Sequence, residues 1–284
     1  TDPSGEFGVE MSSNKKYNKV MSKPTVSLIF PVFNDANVLL SALRSLKNTS
    51  SGVSYEVILV DDESTEDMRV VYELSKKLYD KVVYLKHSGN STVSVNAGVE
   101  VSEGEYIQYQ NSDVLFEQDG WLEKIVKAFE EEKIGTVGCK TLRLNKTVNH
   151  SMRRWMPEGN QSNSHYERGE KLANSSNGVN ICPIVAGCGM TTTRKLWNEL
   201  GGFNVYWPFG WDDADWCFRT WQAGYKVVCQ SDAWFYHFGS TAYGGMGTDE
   251  CIKANREKVE EKYKEVIKKL SKKNNELYHF NLLF

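Results

Sequence analysis

Val26-Ser27-Leu28-Ile29-Phe30, stopped by Pro31, and Tyr55-Glu56-Val57-Ile58-Leu59-Val60, stopped by Asp61-Asp62, are the two stretches that decide the fold class. Both are short, almost continuously apolar and rich in β-branched or aromatic residues, the pattern of parallel strands covered by helices on both faces. Between them Leu39, Leu43 and Leu46 recur at helical spacing. After the second strand, Ser64 with Asp67 resembles a capping box ahead of Val70, Val71, Leu74 and Leu78. Further strands are predicted at 81–85 and 106–109, and a helix at 121–131 that buries Leu122, Ile125, Val126 and Phe129. This alternation predicts an α/β sheet that binds its ligands at the carboxyl ends of its strands.

The alternation then breaks. Residues 135–139 read as a strand, but 143–179 is a polar stretch rich in Asn, Ser and Gly in which Arg153, Arg154 and Trp155 are embedded. A loop of that length inside a domain is unusual and is expected to order around a ligand. Strands are predicted at 181–186, 226–229 and 234–236, and helices at 193–200, 212–223 and 255–273. The last carries Val259, Tyr263, Val266, Ile267 and Leu270 on one stripe. The expected organisation is a tag or disordered leader at 1–22, one α/β domain at 23–247, and a helical extension at 248–284.

Composition narrows the function classes. The 284 residues carry 34 Lys plus Arg against 37 Asp plus Glu, a formal net charge of -3, and so lack the basic excess expected of a nucleic-acid binder. No apolar run approaches the ~20 residues of a membrane-spanning helix. The six cysteines include no C-x-x-C pair and are expected to be buried thiols in a reducing, cytoplasmic compartment. Two aromatic and two leucine side chains in the last five residues, beside a Lys-rich helix, suggest that the tail 278–284 docks on a membrane surface or on a second copy of the chain. H-E-x-x-H, G-x-S-x-G, the P-loop and a G-x-G-x-x-G after the first strand are all missing, so zinc peptidase, serine hydrolase, NTPase and Rossmann dehydrogenase readings have no motif.

Three acidic groups follow strand ends or open a helix: Asp61-Asp62, Asn111-Ser112-Asp113, and Asp212-Asp213 with Asp215. Asp61 can accept from a base N–H or from ribose hydroxyls, since Asp62 and Ser64 suffice for the turn. Asp113 offers a hard oxygen to a metal and Asn111 a neutral one. His237, after the last strand, can complete an oxygen-rich Mn²⁺ or Mg²⁺ site. Asp212 and Asp213 lie in the first turn of a helix, a setting that keeps a general base ionised. Arg219 is six residues beyond Asp213, so it is expected to brace a neighbouring wall.

Taken in order, these pieces resemble the family-two inverting glycosyltransferases of the GT-A fold. The resemblance rests on Val26 through Asn34, Val60-Asp61-Asp62-Glu63-Ser64, Asn96-Ala97-Gly98 followed by Gly104-Glu105-Tyr106-Ile107, and Asn111-Ser112-Asp113. It continues through Ala186-Gly187-Cys188-Gly189-Met190, Gly201-Gly202-Phe203, Gly210-Trp211-Asp212-Asp213-Ala214-Asp215 with Arg219, and His237. It implies a Rossmann-like nucleotide-diphospho-sugar transferase with a mixed central sheet flanked by helices. It also implies a nucleotide-sugar donor, UDP- or dTDP-linked by preference, and a glycan or glycoconjugate acceptor. Pro31, Val32, Phe33, Asn34 and Asp61, with Asn96, Asn111 and Ser112, would surround the nucleotide. Asp113 and His237 would hold the metal, and Asp213 would be the base with Asp212 shaping the acceptor side. Trp207, Trp211, Arg153 and Trp155 are expected to form the acceptor wall. Two departures accompany the match: the usual Asp-x-Asp is Asn111-Ser112-Asp113, which resembles rhamnosyl- and galactofuranosyltransferase-like members, and the usual Glu-Asp is Asp212-Asp213.

Two rival readings differ in class. A nucleotidyltransferase would show a glycine-rich, basic loop for a triphosphate, and 31–37 has neither Lys nor Gly. A non-catalytic nucleotide-sugar or glycan-binding module would keep the fold without Asp113, Asp213 and His237.

Overall fold

A computed structural model of the chain describes residues 8–11, 23–86, 89–153, 167–207, 210–239 and 249–281. Arg154, Trp155, residues 240–247 and residues 282–284 of the tail lie outside the described residues.

Strand β1 (Gly8–Met11) comes first, followed by β2 (Val26–Val32), α1 (Ala36–Asn48), β3 (Tyr55–Asp61), α2 (Arg69–Ser75), β4 (Lys81–Tyr84) and α3 (Ser91–Glu100). Next are β5 (Tyr106–Tyr109), β6 (Val114–Leu115), α4 (Trp121–Ala128), β7 (Ile134–Leu142), β8 (Val148–His150) and β9 (Met152–Arg153). The chain continues with β10 (Val179–Ile181), β11 (Ile184–Val185), β12 (Met190–Thr193), α5 (Arg194–Leu200), α6 (Asp212–Gln222), β13 (Lys226–His237) and α7 (Asp249–Asn281). The central sheet runs β1-β4-β3-β2-β5-β12-β7-β13-β10. Strands β4, β3, β2 and β5 are parallel, while β12 is antiparallel to both β5 and β7. The sheet is therefore mixed, and helices cover both faces. Leu28, Phe30, Val57 and Leu59 pack with α1 and α4, whereas Ile29, Ile58 and Val60 pack with α3, α6 and α7. That two-sided burial is why β2 and β3 read as unbroken apolar runs.

The structure corrects several boundaries. Pro31 does not end β2: the strand continues to Val32, with Pro31 opposite Val60 of β3. Pairing with β5 stops at Ile29–Tyr109, so the missing N–H of Pro31 faces no partner strand. The expected capping box is absent because its two residues are engaged elsewhere. Ser64 accepts from the Asn34 N–H, and Asp67 bonds the Arg69 guanidinium. Part of the supposed leader, Gly8–Met11, forms the edge strand beside β4. Helix α3 stands where only a short motif was noted. Gly98 lets it lie on the sheet, since a Cβ there would sit 2.5 Å from Ile29 Cγ2 and 2.9 Å from Val60 Cγ2. The strands expected at 226–229 and 234–236 are one strand, β13, with its register against β7 shifted between Gln230 and Trp234.

The carboxyl-terminal helix is part of the domain core. Val259, Tyr263 and Leu270 are buried against α6, with Val266 and Ile267 beside them. The stripe lies where the periodicity put it, but it closes one face of the sheet domain. No helix among the described residues is long and apolar enough to cross a membrane.

Candidate active site

The site begins at the carboxyl end of β5. The chain leaves the sheet there, passes Asn111-Ser112-Asp113, and pairs as β6 with the last residues of β13, Val114 opposite His237. The Phe238 N–H donates to the Asp113 carbonyl at 3.0 Å, which fixes the two segments side by side. In consequence His237 Nε2 lies 3.1 Å from Asp113 Oδ1, and the Asn111 side-chain amide lies 3.1 Å from the same nitrogen. Sequence reading placed these residues 126 positions apart, and the topology brings them together. Burial pushes the Asp113 carboxyl up, but hydrogen bonding and charge from His237 hold it below the ordinary carboxylate value.

An oxygen and an imidazole nitrogen 3.1 Å apart span about the edge that two ligands at ~2.1 Å make around one octahedral ion. Asp113 and His237 therefore fit a divalent cation. Rotation of the Asn111 amide can turn its oxygen to the same point. Among the described residues no third His, Cys, Asp or Glu joins them. With Asn111 beside them, a cation there would take its remaining ligands from outside the described residues.

The second half of the site is the first turn of α6. Trp211, at φ 72° and therefore left-handed, turns the chain into the helix. The Gly187 segment carries the link between the halves: a Cβ on Gly187 would touch the Tyr109 ring at 3.0 Å and the Asp213 Cβ at 3.8 Å. Its neighbour Cys188 accepts from the Gln110 amide at 3.6 Å and lies within the field of Asp113. Asp213 Oδ2 accepts from Arg153 Nη1 at 3.0 Å, and Oδ1 accepts from the Ala214 N–H at 2.7 Å. Arg153 is held there by β9, which pairs with β11, and its guanidinium lies 5.5 Å over the Trp211 ring. Asp212 differs from its neighbour: burial, and after it the charge of Asp213, push its carboxyl up to about 7.

Arg219 does reach a neighbouring element, its Nη1 donating to the Leu200 carbonyl of α5 at 3.0 Å, but contrary to expectation it also pairs within its own helix. Its Nε bonds Asp215 Oδ2 at 2.8 Å, an i,i+4 pair within α6. Asp215 Oδ1 also accepts from Lys262 Nζ at 2.8 Å and the Tyr263 hydroxyl at 2.6 Å. The Asp215–Arg219 spacing was visible in the sequence; the partners on α7 had no local signal.

Other expected residues serve the scaffold. Asp61 makes the turn itself, its Oδ1 accepting from the Ser64 N–H and its Oδ2 from the Tyr72 hydroxyl at 2.6 Å. Asn34, left-handed at φ 60°, accepts through its side chain from the Thr65 and Glu66 N–H groups. Both ends of the Asn96 amide are bonded to the backbone of Phe203. Pro31, Val32 and Ser112 are buried, while Phe33 stays partly exposed. Trp207 and Trp211 do not present an open aromatic wall: they are 2% and 8% exposed and belong to the second core. Of the expected acceptor residues, Trp155 lies outside the described residues.

Comparison with known proteins places this geometry in context. The model of Glycosyl transferase family 2 matches residues 27–201. The O-antigen biosynthesis protein RfbC of Myxococcus xanthus is 25% identical over 238 residues, which cover 78% of this chain and 18% of that protein. The poly(ribitol-phosphate) beta-glucosyltransferase of Bacillus spizizenii is 34% identical over 92 residues, 31% of this chain and 14% of its own length. The chain thus spans about a quarter or less of the first curated relatives it matches. Among solved structures, the mannosyltransferase PcManGT from Pyrobaculum calidifontis, in complex with GDP-Man and Mn²⁺, superposes with a TM-score of 0.56 at 19% identity, covering 78% of this chain and 59% of that one. TarS 1-349 of S. aureus, in complex with UDP, gives 0.53 at 20% identity, covering 75% and 60%.

Proposed function

The chain belongs to glycosyl transferase family 2, and on that premise we propose that it moves a sugar from a nucleotide-sugar donor to a hydroxyl of a glycan or glycoconjugate, with inversion at the anomeric carbon. The observation that carries this reading is the meeting of Asp113, His237 and Asn111 on the sheet edge that also presents Asp213 across Gly187. Nucleotide and Mn²⁺ in the mannosyltransferase, and UDP in TarS, support a nucleotide donor and a divalent cation. A relative named for O-antigen biosynthesis supports a role in polysaccharide assembly.

Asp113 and His237 would hold Mn²⁺ or Mg²⁺, which when bound neutralises charge on a departing nucleoside diphosphate. Asp213 takes the proton from the acceptor hydroxyl on a carboxylate lone pair not used by Arg153 or Ala214. The acceptor oxygen forms its bond to the anomeric carbon while the carbon–oxygen bond to the diphosphate breaks, the leaving oxygen keeping the electron pair. Arg153 fixes the direction in which Asp213 points. A second reading makes Asp212 the base, because a carboxyl raised to about 7 is matched to proton uptake near neutral pH.

A thermal-shift screen across UDP-, dTDP-, GDP- and CMP-sugars, with and without Mn²⁺ or Mg²⁺, tests the proposal. A ligand at a hundred times its Kd should raise Tm by roughly 4–5 °C. The expected result is a shift that requires cation and nucleotide sugar together and is lost in Asp113→Ala. No shift with any donor, or a shift that survives excess chelator, would contradict it.

A further inference from the structure

At the edge of the sheet opposite Asp113 lies a cavity of about 510 Å³. Strands β2, β5, β7 and β13 run parallel to one another and all begin at this edge. Residues at or next to their first positions, among them Glu105, Ile134 and Tyr225, line the cavity, and Lys23, Arg194 and Lys195 complete its wall. Arg194 is fixed by three bonds to the turn that leads into β5. Its N–H donates to the Glu105 carbonyl at 2.7 Å, its Nε to the Gly104 carbonyl at 2.6 Å, and its Nη2 to the Ser102 hydroxyl at 2.7 Å. That turn is itself pressed against β2, since a Cβ on Gly104 would lie 2.5 Å from the Ser27 nitrogen. All three acceptors are neutral. Among the described residues Lys23, Arg194 and Lys195 make no ion pair.

We propose that this cavity binds a phosphate monoester, its phosphate on Arg194, Lys195 and Lys23 and its organic part against Tyr225 and Ile134. Three cations against one carboxylate, Glu105, leave an excess of two positive charges. A phosphate monoester carries roughly 1.5–2 negative charges near pH 7, whereas a simple carboxylate carries about one. A guanidinium already held by its neighbours loses little freedom when it takes an oxyanion. The volume exceeds what a phosphate group fills and lies within the span of small-molecule sites, about 300–1,000 Å³, so the ligand has a body as well as a charge. Tyr225 offers that body a fixed ring, because its stem is packed so tightly that a Cβ on Gly135 would lie 2.7 Å from the Tyr225 Cβ. Asp113 and His237 stand at the other ends of β5 and β13, so this site is separate from those of donor and acceptor.

The test is amide and arginine Nε NMR of the full ¹⁵N-labelled chain in excess chelator, titrated with phenyl phosphate, inorganic phosphate and benzoate. Phenyl phosphate should give saturable shifts at Thr193, Arg194, Lys195 and Tyr225, and should bind more tightly than either other probe. Lys195→Ala, which removes an exposed side chain, should weaken it at least about threefold, and Arg194→Ala at least about tenfold, with Arg194→Lys between the two. Glu105→Gln should tighten it about twofold or more by removing the repelling charge, an effect that mere loss of structure would not produce. No saturable shift at these residues, or unchanged affinity in Lys195→Ala together with Glu105→Gln, would overturn the site. Benzoate binding as tightly as phenyl phosphate would overturn the match to a dianion, and inorganic phosphate binding as tightly would overturn the place given to Tyr225.

Discussion

Asp212 and Asp213 are adjacent in one helical turn, yet their surroundings differ. Asp213 is paired with Arg153, whereas Asp212 is raised to about 7 by burial and by its neighbour's charge. A raised carboxyl means that the folded chain holds a proton which the unfolded chain releases near the ordinary value of about 4. Between about pH 4 and 7 the folded state therefore binds more protons, and its stability falls as pH rises. Asp212→Asn should remove that contribution, so its Tm should drop less than that of wild type between pH 4.5 and 7.5. Melting both proteins across that window checks it; parallel curves would refute the assigned shift. At this scale the sequence singled out Asp113, Asp213 and His237 as candidates, because each stands at a strand end or helix start on the edge where α/β sheets bind their ligands. It could not disclose Arg153 as the partner of Asp213, since that contact joins residues 60 positions apart through a two-stranded sheet.

Among the elements, α6 and α7 are joined by a buried polar knot. Asp215, at 1% side-chain exposure, takes hydrogen bonds from Arg219, Lys262 and Tyr263, and α7 departs from helical geometry at Tyr263, where φ is -113°. Burial raises the Asp215 carboxyl, but the bonds from Lys262 and Tyr263 outweigh it and hold it below the ordinary value. Its stabilising contribution is thus present above the unfolded value and is lost as pH falls through the folded one. Asp215→Ala should lower stability by about 2–4 kcal/mol, because it removes the acceptor of the mostly buried Arg219 while the 44% exposed Lys262 turns to water, and Tyr263→Phe by about 1.5–3 kcal/mol. Urea unfolding of both variants measures these losses, and equal effects would show that the cations do not matter. Gly98→Ala should cost about 1–3 kcal/mol by driving a methyl group into Ile29 and Val60 of the sheet. A variant as stable as wild type would show that α3 can move off the sheet without cost. Periodicity made the stripe of α7 legible, but not that it belongs to the core. Helix α3 escaped notice because its packing surface is built from small residues such as Ala97 and Gly98, which leave a weak apolar signal.

For the whole molecule, the parallel half of the sheet was readable from β2 and β3, whose double burial writes itself as apolar runs. The mixed half was less so. Strand β12 is four residues long, and three of them are threonine, so its place between β5 and β7 is set by tertiary pairing. Strand β1 lies in a stretch whose composition suggested a leader, and an edge strand needs only backbone pairing on one side. What this architecture achieves is to bring Asp213 against Gly187 while Asp113, paired with His237, lies within the field of the next residue, Cys188. The central claim is that Asp213 is the group which deprotonates the acceptor. It is tested most directly by nucleoside diphosphate release from the nucleotide sugar that gives the largest thermal shift, assayed with Mn²⁺ for wild type, Asp213→Asn and Asp212→Asn. The account predicts that Asp213→Asn binds donor as wild type does yet releases product at least ~100-fold more slowly, while Asp212→Asn stays within about tenfold. Release by Asp213→Asn within a few-fold of wild type, with Asp212→Asn the slow variant, would contradict it and move the base to Asp212.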